Sequence, residues 1–257
     1  MSHDAHGKEG SGNGTRSVGF SVQHAEGPVT TVHVGTDEDK RTFRIHLNLM
    51  RDNSEYFNTM FIHGFKEKVD NEVILEEYTS EAFSIFVDWL YVGFLKPSHK
   101  SDDLVDVWIL AHYIGCTQLV DETLDLLKEH HDDGDMLIDG IEDLQKAGHE
   151  NSKLMQYLVE ELAYRLAHDF NGTSKKSFDK SPSAKRLAWA VHMRLMEQLA
   201  AYSSDTNRAA PSTMQDCTFH VHEKERGVQC PAADAKRMRA CIENNHKVLP
   251  VWDQDHW

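Results

Sequence analysis

The first 27 residues show no apolar periodicity; Gly, Ser and His dominate, and the segment is expected to be disordered. From Pro28 the texture changes. Val29, Thr31 and His33 alternate with Thr30, Val32 and Val34, all residues that suit a strand, and Gly35-Thr36-Asp37 supplies a turn. Arg41 to His46 puts Phe43 and Ile45 on one face of a second strand, so the two runs predict a β-hairpin. Ser54 is placed to cap a helix with Glu55 in its first turn and Tyr56, Phe57, Met60 and Phe61 as its apolar stripe. Glu72 to Glu76 predicts a short strand. Ser80 is expected to cap the next helix, in which Phe83, Phe86, Val87, Leu90 and Tyr91 recur at i, i+3, i+4, i+7 and i+8. Gly93 is placed to end it. A helix opening at Ser101-Asp102 carries Leu104, Trp108, Ala111 and Ile114, and Thr117 caps one with Val120, Leu124 and Leu127.

Farther on, the periodicity is helical throughout. Leu137, Ile141 and Leu144 form a short stripe, and Leu154, Met155, Leu158, Val159, Leu162, Ala163 and Leu166 a strong one. Residues 171–182 read as a linker, after which Pro182-Ser183 opens a helix with Leu187, Val191, Leu195 and Leu199. Residues 203–213 are polar and read as irregular. The order of elements predicts an α+β fold, a small β-sheet with clustered helices, followed by an all-α extension. The expected division is a disordered N-terminus at 1–27, an α+β domain at 28–131, a helical extension at 132–202 and a Cys/His-containing tail at 203–257.

Composition adds limits. Of 257 residues, 40% are apolar, enough for a sizeable core with some chain left outside it. The net charge of −15 argues against non-specific binding to nucleic acid or an anionic membrane. It is unevenly spread: residues 121–150 hold eleven acids against Lys128 and Lys146, whereas residues 175–257 sum to +3. The acidic stretch reads as a solvated helix face and loop, or else as a docking surface for a basic partner; it lacks the pattern of a calcium loop. There is no apolar run long enough to span a membrane and no secretory h-region near Met1. Four cysteines without such a signal point to a reducing, intracellular setting, with nucleus and cytoplasm both open.

The run Phe43-Arg44-Ile45-His46, then Ser54-Glu55-Tyr56-Phe57, then Val73-Ile74-Leu75, then Phe83, Phe86 and Trp89-Leu90-Tyr91-Val92-Gly93 resembles the BTB/POZ family, most of all fungal members with a helical tail. The resemblance covers residues 28–131. It implies a three-stranded sheet with helical hairpins, and a non-enzymatic protein-interaction module. Many members form homodimers, and many are substrate adaptors for cullin-type ubiquitin ligases. On that reading His46 is a structural histidine, Ser54 a helix cap, and Trp89 and Tyr91 core residues. Two departures count against a co-repressor role: Pro28 stands where many animal members carry an acid, and Leu47 where they carry a base. The apolar-x-Glu pattern of cullin-binding extensions is matched only loosely by Leu126-Leu127-Lys128-Glu129.

The remaining chemistry lies in the tail. Cys217-Thr-Phe-His220-Val-His222 is followed by Cys230 and Cys241. Thiolate and imidazole donors suit tetrahedral zinc, and Cys217, His220, His222 and Cys230 form a candidate set. The spacing is not that of a standard finger, and 17 histidines make local coincidences easy. Two readings therefore stand: a structural zinc site, or loop residues with reduced thiols. A transcription-linked regulator using this cluster is the alternative function; the acidic balance disfavours direct nucleic-acid contact. A metallohydrolase ranks last, because no HExxH-type helix is present.

Overall fold

The alternating strand Val29–Val34 (β1) turns Thr30, Val32 and Val34 inward, and it is the centre of the sheet. Arg41–His46 (β2) pairs with it antiparallel, Val32 opposite Phe43, and Glu72–Leu75 (β3) pairs parallel on the other side, Val32 opposite Val73. The hairpin and the short strand thus form one sheet of order β2-β1-β3. A parallel pair needs a crossover; here the chain passes through Leu47–Asn53 (α2) and Glu55–Ile62 (α3) between β2 and β3. The computed structural model describes residues 20–62, 72–130, 134–169, 172–205, 207–214, 217–222, 230, 236, 239 and 240. The expected disorder of residues 1–19 lies outside them, as does Cys241, and the side chain of Leu137 is likewise not described.

Residues 20–27 depart from expectation. Val22–Ala25 makes a single helical turn (α1), and the Phe20 ring lies 5.1 Å from His46 and 5.3 Å from Tyr91. These ring contacts, made by a Phe20 that itself stays exposed, give this polar stretch an anchor that periodicity does not reveal.

Ser80–Val92 (α4) buries Phe83, Phe86, Trp89 and Leu90 and ends at Gly93, whose φ of 90° is the left-handed geometry that glycine accepts without strain. Its cap is Thr79, not Ser80: the Thr79 hydroxyl accepts from the Ala82 N–H at 3.2 Å. Ser80 instead presents its N–H and its hydroxyl to the Asp39 carboxylate, each at 2.7 Å, tying α4 to the β1–β2 turn. Ser101–Tyr113 (α5) and Thr117–Glu129 (α6) form the next hairpin. The cap position of α6 is Cys116, and no side chain caps it.

The extension consists of Gly134–Lys146 (α7), Lys153–His168 (α8), Thr173–Lys180 (α9) and Trp189–Ser204 (α10). Helix α9 replaces most of the expected linker. Its sequence, rich in Lys and Ser, hides a short amphipathic turn that rests on α7 and α8. Pro182-Ser183 opens only the 3-10 turn Ala184–Arg186, and α10 begins at Trp189. A single apolar core runs from Val32 in the sheet through Trp108, Ile141 and Tyr157 to Phe219 in the tail. Among the described residues no helix is long and apolar enough to cross a membrane.

Candidate metal centre and the helix beneath it

Helix α6 is built to be covered on more than one side. Leu119, Val120, Leu124, Leu126 and Leu127 enter the core, while Asp121, Glu122 and Lys128 on the remaining surface are also buried. The reading of residues 121–150 as a solvated acidic face therefore fails at its first turn. The tail lies over these carboxylates.

Phe219 is the tail's apolar foot, edge-on to Tyr157 at 5.5 Å with the Lys128 ammonium 5.6 Å from its ring centre. Lys128 Nζ donates to the Met214 carbonyl at 3.1 Å, and Lys153 Nζ to that of Thr218 at 3.4 Å. These contacts bring Cys217, His220, His222 and Cys230 together, with one donor atom of each within 4.8 Å of all the others. Such a group could hold a metal ion. The donor set, two thiols and two imidazoles, is the one zinc takes in closed tetrahedral sites.

Two carboxylates one helical turn apart on α6 back the histidines. Asp125 Oδ1 lies 2.9 Å from His220 Nε2. Asp121 Oδ2 lies 2.5 Å from His222 Nδ1, and its Oδ1 accepts the Val221 N–H at 2.6 Å. On the other side of the His220 ring, Cys230 Sγ is 3.4 Å from Nδ1. Burial disfavours a charged His220, but Asp125, the Cys230 sulfur and Asp121 override it and push the imidazole up to about 10. Burial would raise Asp125; the His220 hydrogen bond and the nearby Lys128 and Lys236 hold it below the usual carboxylate range instead. Burial lifts the Cys217 thiol above its ordinary value, against the opposing hydrogen bond with His220.

Farther along, Arg239 seals the arrangement. Its Nη1 donates to Glu122 Oε1 at 2.9 Å. The same carboxylate accepts from Trp89 Nε1 at 2.8 Å and from the Leu95 N–H at 2.6 Å. Lys236 pairs with Glu129 at 3.3 Å. Neither Asp121 nor Asp125 stands out in the sequence as a site residue; only the tail folded over α6 singles them out.

The other singled-out residues divide between core and hydrogen-bonding roles. Phe57 and Phe83 are fully buried, Phe43 meets Phe83 at 5.0 Å, and Tyr56 meets Tyr113, tilted, at 5.0 Å. Ser54 accepts from the Phe57 N–H and donates to the Ile114 carbonyl at 2.6 Å, so it caps α3 and ties it to the end of α5. His46 is half-buried, and its Nδ1 lies 2.8 Å from the Tyr91 hydroxyl. Tyr91 is therefore a hydrogen-bonding rim residue more than a core one. Ser21, His24 and Asp52 form a Ser-His-Asp run at 2.9 and 3.3 Å. Its Nδ1 also accepts the Ser21 N–H at 3.0 Å, which makes the run an exposed cap of α1 rather than a nucleophile poised against a base.

A three-stranded sheet of order β2-β1-β3 covered by helical hairpins defines an α+β domain. Residues 21–131 match the family model of the BTB/POZ domain, and this part of the chain is a BTB/POZ domain. The chain is 30% identical over 91 residues to BTB/POZ domain-containing protein 9 from Bos taurus, covering 35% of this chain and 15% of that protein. It is 26% identical over 82 residues to Kelch repeat and BTB domain-containing protein 4 from Mus musculus, covering 32% of this chain and 15% of that protein. The chain thus spans only 15% of the length of each of these relatives.

Proposed function

We propose that the chain is a non-enzymatic BTB/POZ interaction module that self-associates and serves as a substrate adaptor for a cullin-type ubiquitin ligase. It divides into the BTB/POZ domain, a helical extension at 132–202 and a Cys/His tail at 203–257. The observation that carries the reading is the BTB/POZ domain over residues 21–131, a family of protein-interaction domains. Leu126 and Leu127 are spent on the core and Glu129 on Lys236, so the loose apolar-x-Glu match is not the surface offered to a cullin. The extension leaves Trp189, Met193 and Met196 at 77%, 42% and 59% exposure along one stripe of α10, apolar area available to a recruited protein.

We further propose that Cys217, His220, His222 and Cys230 take one structural zinc. This cluster rests on carboxylates of α6 rather than on a basic surface, which supports the interaction reading over a transcription regulator that contacts DNA. Light scattering on the full chain should give twice the 29.4 kDa protomer mass, and affinity purification from native cells should recover a cullin. A strict monomer that recovers neither a cullin nor another stoichiometric partner would sink the proposal.

A further inference from the structure

The two histidines of the tail are not free to choose which nitrogen they offer. A carboxylate facing one ring nitrogen holds the N–H there, so the proton that a metal ion displaces, and the lone pair it then takes, are those of the other nitrogen. For His220 the carboxylate is Asp125, at Nε2, and the nitrogen left over is Nδ1, already 3.4 Å from Cys230 Sγ. For His222 it is Asp121, at Nδ1, which leaves Nε2. Zinc bond lengths place tetrahedral sulfur and nitrogen ligands about 3.3–3.8 Å apart. The four donors, all within 4.8 Å of one another, need close by only about an ångström to reach that spacing.

Both carboxylates come from the BTB/POZ domain, while all four donors come from the tail, about a hundred residues later. Asp121 is buried and is fully used: its two oxygens receive the Val221 and His222 N–H groups as well as the His222 ring. The tail segment 217–222 has no regular secondary structure to hold it in place. An ordinary loop would have no reason to direct two buried or half-buried carboxylates at the two imidazoles of a Cys/His set. Such carboxylate–histidine pairs are the usual support of zinc ligands.

We propose that Asp121 and Asp125 are positioning residues of a zinc centre, holding His222 to bind through Nε2 and His220 through Nδ1, so that the ion fastens the tail to α6 of the BTB/POZ domain. This rests on the zinc reading above, and adds to it a specific ligand geometry and a specific role for α6. Loss of the ion would free the strap that covers Asp121, Glu122 and Asp125, and with it the Arg239 and Lys236 contacts.

The test uses the full chain. Zinc content is measured by elemental mass spectrometry, zinc affinity by competition with a chromophoric chelator, and ligand type by the absorption of the cobalt(II)-substituted protein. Wild type should hold one zinc per chain. Asp125→Asn should weaken zinc about 10–100-fold while keeping the thiolate-to-cobalt band, because both sulfurs remain; Asp125→Glu, which retains the carboxylate, should recover part of that affinity. Cys217→Ser should diminish the band itself. The gap in thermal midpoint between wild type and Asp125→Asn should close when zinc is stripped from both. A gap unchanged by stripping, or wild-type zinc affinity in both Asp125→Asn and Asp121→Asn, would overturn the positioning role and leave the zinc reading intact. Less than half an equivalent of zinc in gently purified wild type would overturn both. Asp125 carries the decision if Asp121→Asn does not fold, because its side chain is partly exposed.

Discussion

At the scale of single residues, Glu122 concentrates the energetic interest of the BTB/POZ domain. Its carboxylate is buried and accepts from an indole, a backbone N–H and the Arg239 guanidinium. Burial raises its carboxyl above the usual range, and the three donors pull the other way. Breaking a buried pair of this kind from one side costs about 3–5 kcal/mol, because a charge is left in a place water does not reach. Arg239→Leu should therefore lower the urea midpoint by an amount corresponding to that loss, whereas Lys236→Ala, whose partner Glu129 is partly exposed, should move it little. The sequence shows the tail donors but not their support. Cys217, His220 and His222 are legible because thiols and imidazoles cluster in a short stretch. Asp121, Glu122 and Asp125 are hidden in an acidic run, where each residue alone looks like a solvated charge. What changes their meaning is a covering segment far along the chain, and spacing carries no information about that.

At the scale of elements, the sheet and the long amphipathic helices follow directly from alternation and from the 3.6-residue period. Val32 and Val34 alternate inward in β1, and Phe83, Phe86 and Leu90 line up in α4, because one face of each had to be buried. Helix α9 escapes notice because eight residues of Thr, Ser, Lys, Phe and Asp carry almost no apolar signal. The 3-10 turn before α10 is held by another pairing that periodicity does not reveal: Arg186 Nε and Nη2 donate to the two oxygens of Glu142 on α7 at 2.5 and 2.7 Å. The hydrogen bonds from Arg186, with help from Ser183 and Lys146, pull Glu142 from an ordinary 4.5 down to about 2. A carboxyl depressed in the folded state stabilises fully above its unfolded value and less as pH falls toward the folded one. The contribution of this clasp should thus be whole above pH 4.5 and fade between there and about pH 2. Acid titration monitored by circular dichroism should show a shallower loss over that interval in Glu142→Gln than in wild type.

At the scale of the whole molecule, one apolar core joins the BTB/POZ domain to its extension through α5, α7 and α8. Trp108 contributes to this seam, with His149 edge-on to it at 5.4 Å. Residues that share a core tend to lose it together. Native-state hydrogen exchange should then report the same opening free energy for the most protected amides of α5 and α8. Separate values, differing by several kcal/mol, would show that the two halves unfold as independent units. The acidic balance of the chain also takes on a more local meaning at this scale. The acidic residues of α6 are partly neutralised by two tail cations, Lys236 and Arg239, paired with Glu129 and Glu122.

The covering of α6 by so distant a segment has a consequence for how the protein is made. His222 lies 101 residues after Asp121, and Arg239 lies 117 after Glu122. A ribosome adding about 5–20 residues per second leaves an interval on the order of ten seconds between the completion of these pairs' two halves. During it the BTB/POZ domain already has every residue of its sheet and helices, but not the strands of chain that neutralise its last helix. Asp121 and Glu122 must stay hydrated through that wait, and the domain reaches its final state only once the chain through Arg239 has left the exit tunnel. Premature termination in the tail would therefore release a chain whose interaction domain is complete in sequence and unfinished in structure.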